Sequence, residues 1–240
     1  MMVGGNNFRW DAFGDDIELF SSLSWHEGAD ARLLDVLSAA NYTCQKEGCG
    51  FHAAPFSDPG GEDGVLLGED VTGYMQVSHI NGDHSDNRID NLMCVCPYCH
   101  LSDHPMEAII TGKADLICAP YKSQLEINAI AMVINRTLCH DAGAYYKDAQ
   151  ELLDILMKDS DEQMSAYIKE YPKLQSSRRD QQLKFCYSIA NMMMLGDDHH
   201  YLFEPLRLFP RGDFFKLAHD FWNDKYPLPR LEYWAQAAYG

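Results

Sequence analysis

The chain is 240 residues long, 46% hydrophobic and 23% charged, which fits one large or two small soluble domains with a sizeable core. Lys and Arg number 19 against 36 Asp and Glu, a net charge of −17, and residues 1–77 hold 13 of the acidic side chains with only Arg9, Arg32 and Lys46 as basic ones. That balance lacks the basic footprint with which proteins neutralise phosphate, so nucleic acid is not the expected partner.

Met1–Trp10 contains no basic stretch leading into an apolar run, so no signal peptide is expected. No segment approaches the roughly 18 continuous apolar residues that span a bilayer. Eight cysteines in such a chain are expected to be reduced thiols serving a metal rather than disulfides, in a cytoplasmic protein.

Residues 1–28 read as an irregular acidic arm carrying the rings of Phe8, Trp10, Phe13, Phe20 and Trp25. Leu33, Leu34 and Leu37 predict a short amphipathic helix over Asp30–Ala40 that leads into the first cysteine pair. Gly60, Gly61, Gly64 and Gly68 break up an acidic loop, after which residues 73–80 predict a strand ended by the turn dipeptide Asn81-Gly82. Beyond Cys96 the pattern turns helical. Ser123-Gln-Leu-Glu126 is a capping box opening a buried helix to about Leu138, with Ile127, Ile130 and Ile134 inside. Further helices are expected over 144–157, 161–171, 179–195 and 212–223.

Cys44-x4-Cys49 and Cys96-x2-Cys99 are two close pairs, each able to chelate from one tight turn. Together they form the four-thiolate shell that structural Zn²⁺ prefers, with no coordination position left open for chemistry. Gly48 and Gly50 flank the second ligand and let the first knuckle turn, while Pro97 can start the helix that follows Cys96. Cys94, Cys118, Cys139 and Cys186 are expected to be packed thiols, and His52 and His84 to lie outside the metal's shell.

Between the pairs runs Val77-Ser-His-Ile-Asn-Gly-Asp-His, then Asp90-Asn-Leu-Met-Cys-Val-Cys-Pro-Tyr-Cys-His-Leu-Ser-Asp-His104. This resembles the HNH (ββα-metal, treble-clef) nuclease signature. The resemblance implies His79 as a general base activating water, Asn91 as the residue orienting that histidine or its loop, and His100 and His104 as ligands of a second divalent metal such as Mg²⁺. One position departs from the pattern. Where the family has an Asp or His directly before the base, as a metal ligand, this chain has Ser78, whose neutral hydroxyl is a poor ligand for a hard cation.

A narrower resemblance rests on Tyr42-Thr-Cys-Gln, Asp83, Asn87-Arg88, the stretch Asp115-Leu-Ile-Cys-Ala-Pro-Tyr-Lys-Ser-Gln-Leu-Glu-Ile-Asn128, Arg207-Leu-Phe-Pro-Arg211 and Trp222. Together these are similar to the IcmJ/DotN proteins of type IVB secretion systems, HNH-like zinc proteins of the coupling complex. That implies an assembly or adaptor subunit bound to a coupling ATPase and companion subunits. Such a subunit is cytoplasmic and peripheral at the inner membrane through the complex. The expected fold is α+β, an HNH-like ββα zinc module embedded in a mainly helical protein. The expected segments are an arm and lead-in helix over 1–41, the zinc module over 42–112 and a helical domain over 113–240. The two function classes are a non-catalytic adaptor, preferred, and a metal-dependent HNH endonuclease. The residues Lys173, Arg178, Arg179 and Lys184 are read as a solvated face, and Phe214, Phe215, Phe221, Trp222, Tyr233 and Trp234 as core or partner-binding rings.

Overall fold

A computed structural model describes residues 30–52, 75–83, 85–140, 144–169 and 204–212. The aromatic arm, the glycine-rich acidic loop, His84, Cys186, the basic cluster at 173–184, the helices expected at 179–195 and 212–223, and the terminal rings lie outside the described residues. The architecture is α+β, with helices and two small antiparallel sheets among the described residues. The chain divides into two compact units, one drawn from Ala12–His104 and the other taking in Pro105–Gly240.

The first described element of the first unit is α1 (Asp30–Ala39), whose Val36 and Leu37 are buried and which packs on the two strands that follow. Asn41 and Tyr42 then take left-handed backbone angles, and the Tyr42 amide donates to the Leu37 carbonyl at 2.9 Å, closing off the helix. Residues 43–52 fold back as a small hairpin: Thr43 bridges His52, and the Cys44 amide donates to the Phe51 carbonyl. Strand β1 (Gln76–His79) pairs antiparallel with β2 (Leu92–Val95), Gln76 opposite Val95 and His79 opposite Leu92. The strand expected over 73–80 is therefore shorter, and it stops at His79, one residue before the Asn81-Gly82 turn. A 3₁₀ turn at Ile89–Asn91 leads into β2, and Cys96 caps α2 (Pro97–Asp103), with Pro97 at its first position. These elements make up a ββα module.

The second unit holds α3 (Pro105–Ile110), β3 (Ala114–Cys118), α4 (Gln124–His140), α5 (Ala144–Lys169) and β4 (Leu206–Pro210). Strands β3 and β4 pair antiparallel, from Ala114 opposite Pro210 to Cys118 opposite Leu206. The sequence pattern, read as helical throughout after Cys96, did not show them. Both are short and almost entirely buried, so neither alternates polar with apolar residues. Helix α4 packs on β4 and α5, and α5 on β3. Ile127, Ala131, Ile134, Ile117, Leu206 and Leu208 lie in the core of this unit, each fully buried Ile or Leu side chain stabilising by about 1.5–3 kcal/mol.

The capping box at Ser123 is formed. The Ser123 amide donates to Glu126 Oε2 at 2.6 Å, and the Glu126 amide to Ser123 Oγ at 3.2 Å. Gln124 behaves as a substitute peptide for the edge of β4, accepting from the Leu208 amide at 2.8 Å and donating to its carbonyl at 2.7 Å. The separate helices expected at 144–157 and 161–171 are one continuous α5 as far as Lys169. The intervening Lys158-Asp159-Ser160 contains no glycine or proline to break it. Ser160 stays on the buried face, where its hydroxyl accepts from the Cys118 amide of β3 at 3.0 Å.

Candidate metal centre and histidine site

Two turns far apart in sequence deliver four sulfurs to one place. The first is the hairpin knuckle, where Gly48 and Gly50 both have positive φ (81° and 60°), as the expected tight turn around Cys49 requires. The second is the start of α2, where Cys96 Sγ accepts from the Cys99 amide at 3.4 Å. Gln45 registers one against the other. Its amide donates to the Cys94 carbonyl and its side-chain oxygen accepts from the Cys94 amide, both at 2.8 Å.

The sulfurs of Cys44, Cys49, Cys96 and Cys99 all lie within 4.8 Å of one another, and Cys49 and Cys96 are 3.8 Å apart. Four sulfurs held about 2.3 Å from a central ion form a tetrahedron with edges of about 3.8 Å, so the residues present fit a thiophilic metal ion. The protonation balance agrees. Hydrogen bonds from Cys49, Cys96 and Cys99 hold Cys44 well below the usual thiol range. Burial pushes Cys96 up, and the neighbouring Cys44 and Cys49 push Cys99 up. Left to themselves, the four groups cannot all ionise in this space; a divalent cation supplies the charge that lets them do so. The remaining described cysteines are packed otherwise. Cys94 is wholly buried and pushed up to about 12 by that burial, Cys118 bonds Gln163, and Cys139 donates to the Gly212 carbonyl. His52 bonds Thr43 and is not one of the four-ligand group.

The histidines each have a specific partner. His79, at the end of β1 and buried, places Nε2 3.1 Å from Asn87 Oδ1. His100, in the last turn of α2 directly after Cys99, places Nδ1 2.7 Å from Gln76 Oε1. The His100 and His104 rings meet edge to face with centroids 4.7 Å apart. Among the described residues, the four cysteines are the one group of three or more His, Cys, Asp or Glu side chains close enough to share an ion. His79, His100 and His104 do not gather into a second.

Asn91 is a loop clasp. Its Nδ2 donates to Asn81 Oδ1 at 2.8 Å and to the Asp86 carbonyl at 2.9 Å, while its Oδ1 accepts from the Asn81 amide at 3.0 Å. Of the two roles that the resemblance implies for it, these bonds correspond to holding the loop, and it is Asn87 that touches the ring.

Ser78 is engaged from the other side. Gln76 and Ser78 are two apart, share one face of β1 and both reach α2. The Ser78 hydroxyl donates to Asp103 Oδ2 at 2.8 Å, and Asp103 Oδ1 takes the ammonium of Lys46 at 2.7 Å. A buried carboxylate at the end of α2 thus ties the knuckle to β1. Sequence reading missed Lys46, Gln76, Asn87 and Asp103 as parts of the site. Asp103 stands in plain view between His100 and His104, but its partner Lys46 is 57 residues away, and nothing in the spacing links them.

A sequence-family model described as HNH endonuclease matches residues 66–97. The matched stretch takes in β1, the Asn91 loop, β2 and Cys96, and ends before Cys99, His100 and His104. No curated protein matches the chain.

Proposed function

We propose that this chain is a zinc-stabilised assembly or adaptor subunit whose HNH-type module carries a degenerate hydrolytic site. In this reading Cys44, Cys49, Cys96 and Cys99 hold Zn²⁺ as a folding staple. The module docks on a coupling ATPase and companion subunits of a type IVB secretion or conjugation complex, peripheral at the inner membrane through that complex. The observation that carries the reading is the closed chain from Ser78 through Asp103 to Lys46. At the strand position where an HNH nuclease has a metal ligand, a hydroxyl is committed to a carboxylate whose counter-charge is an ammonium of the same chain. The fate of the module's other described cation agrees: Arg88 is held by Asp86 through both carboxylate oxygens at 2.8 Å. Neither cation is left uncommitted to meet a phosphate backbone. The IcmJ/DotN-like segments outside the module supply the choice of partner. Among the described residues no helix is long and apolar enough to cross a membrane.

Pull-down from the native cell tests this. Recovery of a coupling ATPase or its companions, lost on zinc chelation, is the expected result. Recovery with nucleic acid and no secretion or conjugation component would sink it.

A second reading, a metal-dependent HNH endonuclease, is favoured by the family match over 66–97 and by the Asn87 contact to His79. There His79 is the base, Asn91 holds its loop, and His100 and His104 hold Mg²⁺ or another divalent ion. Plasmid cleavage with Mg²⁺, Mn²⁺ or Ni²⁺ decides it. Cleavage abolished by both His79→Ala and His100→Ala promotes this reading over the first; the assembly reading expects little or none.

A further inference from the structure

Two carboxamides face two histidines within the module. Asn87 Oδ1 lies 3.1 Å from His79 Nε2, and Gln76 Oε1 lies 2.7 Å from His100 Nδ1. An amide oxygen only accepts hydrogen bonds, so in each pair the facing ring nitrogen carries the hydrogen. In a neutral imidazole the other nitrogen then holds the lone pair: Nδ1 of His79 and Nε2 of His100. We propose that Asn87 and Gln76 are positioning residues that fix these two rings in opposite tautomers.

Each carboxamide is itself held where the pairing needs it. Asn91 donates to the carbonyl of Asp86, the residue before Asn87, so the loop clasp sets the height of Asn87 over the ring. The same clasp ties the loop to the strand end, because the Ile80 amide donates to the Asn91 carbonyl at 2.8 Å. Gln76 opens β1 opposite Val95, and His100 directly follows the metal-site Cys99. The four-sulfur centre therefore places one partner of the second pair and the sheet places the other. Both carboxamide side chains belong to exposed residues, which the core does not require to be amides. A fixed tautomer with a defined lone pair is what an imidazole needs in order to accept a proton or to ligate an ion. The assignment goes beyond the assembly reading. Only the use of the lone pairs, as base and as ligand, rests on the hydrolytic reading.

Long-range proton–nitrogen NMR of the imidazoles tests it on the full chain with its metal bound. The spectra are recorded at about pH 8.5, above the usual imidazole range near 6.5. Resonances are assigned through His79→Gln and His100→Gln. The expected spectrum has His79 protonated at Nε2 and His100 at Nδ1. Asn87→Leu should turn His79 into a tautomer mixture and leave His100 alone, Gln76→Leu the reverse. Asn87→Asp, which keeps an acceptor oxygen, should retain the His79 pattern. Either histidine protonated at the opposite nitrogen in the parent protein overturns the proposal. So do tautomers unchanged in both leucine variants. If a variant does not fold, the parent spectrum decides alone. Plasmid cleavage on the same samples reports separately on the hydrolytic reading: no cleavage with these tautomers in place removes that reading and leaves the assignment standing.

Discussion

Cys44, Cys49, Cys96 and Cys99 come from two turns far apart in sequence, and an ion bound by their four sulfurs would hold those turns together beyond the Gln45 bonds to Cys94. The protein is expected to hold one zinc with four sulfur neighbours at about 2.3 Å, seen by elemental analysis and X-ray absorption. Cys99→Ser should lose the metal and the folded module together, whereas Cys94→Ala should keep one metal per chain because Cys94 lies outside the group. Asn91→Ala removes three hydrogen bonds from a buried position and should cost about 2 kcal/mol or more, read from denaturant unfolding. At this scale the sequence was informative where chemistry is local. Cysteine spacing displays each knuckle, and the pattern around His79 and Asn91 displays the motif. It was silent on side chains that meet across the module, because Lys46 meets Asp103 only once the knuckle lies against α2, and Gln76 meets His100 only after β1 packs on α2.

Helix α4 shows an element written almost completely in its sequence. Its capping box, its apolar stripe and the absence of a breaker all point one way, and the structure follows them to His140. Ser123→Ala should cost about 1 kcal/mol, measured by thermal or denaturant melting at neutral pH. The Ser123 amide beside Glu126 holds that carboxyl below the usual range. A carboxyl depressed in the folded state stabilises above its unfolded value, about 4.3, and the contribution fades as pH falls through that range toward the folded value. Glu126→Gln should therefore flatten the acid limb of the stability curve. Strands β3 and β4 were illegible for the opposite reason. Each is five residues long and buried on both faces, and their partners are about ninety positions apart, so neither a period nor a turn announces them. The continuity of α5 was obscured by a polar step at 158–160, which is in fact where Ser160 turns inward to serve β3.

At the scale of the whole molecule, the acidic excess visible in composition reappears among the described residues as cations held by partners of the same chain. Arg88 serves Asp86, Lys113 serves Glu107, Arg211 serves Asp115, and Arg207 caps backbone carbonyls beside β4. Each exposed pair adds little to stability, but each cation paired in this way is less available to draw a polyanion. The pair formed by Lys46 and Asp103 has a different kind of consequence. Lys46 lies between two metal-site cysteines, while Asp103 sits one turn beyond the other two and anchors Ser78 of β1. If the bound ion holds the knuckle where Lys46 can reach Asp103, then thermodynamic reciprocity requires that Asp103 strengthen the hold on the ion by the same factor. Asp103→Asn should thus lower zinc affinity although residue 103 is no ligand, with a loss of about 5- to 150-fold for a coupling of 1–3 kcal/mol, read by competition with a chromophoric chelator. Lys46→Met should reproduce that loss, and adding it to Asp103→Asn should produce little further change. Affinity for the ion is in this sense a property of the whole module, transmitted through one carboxylate, and a partner that pulled on β1 would be felt at the metal.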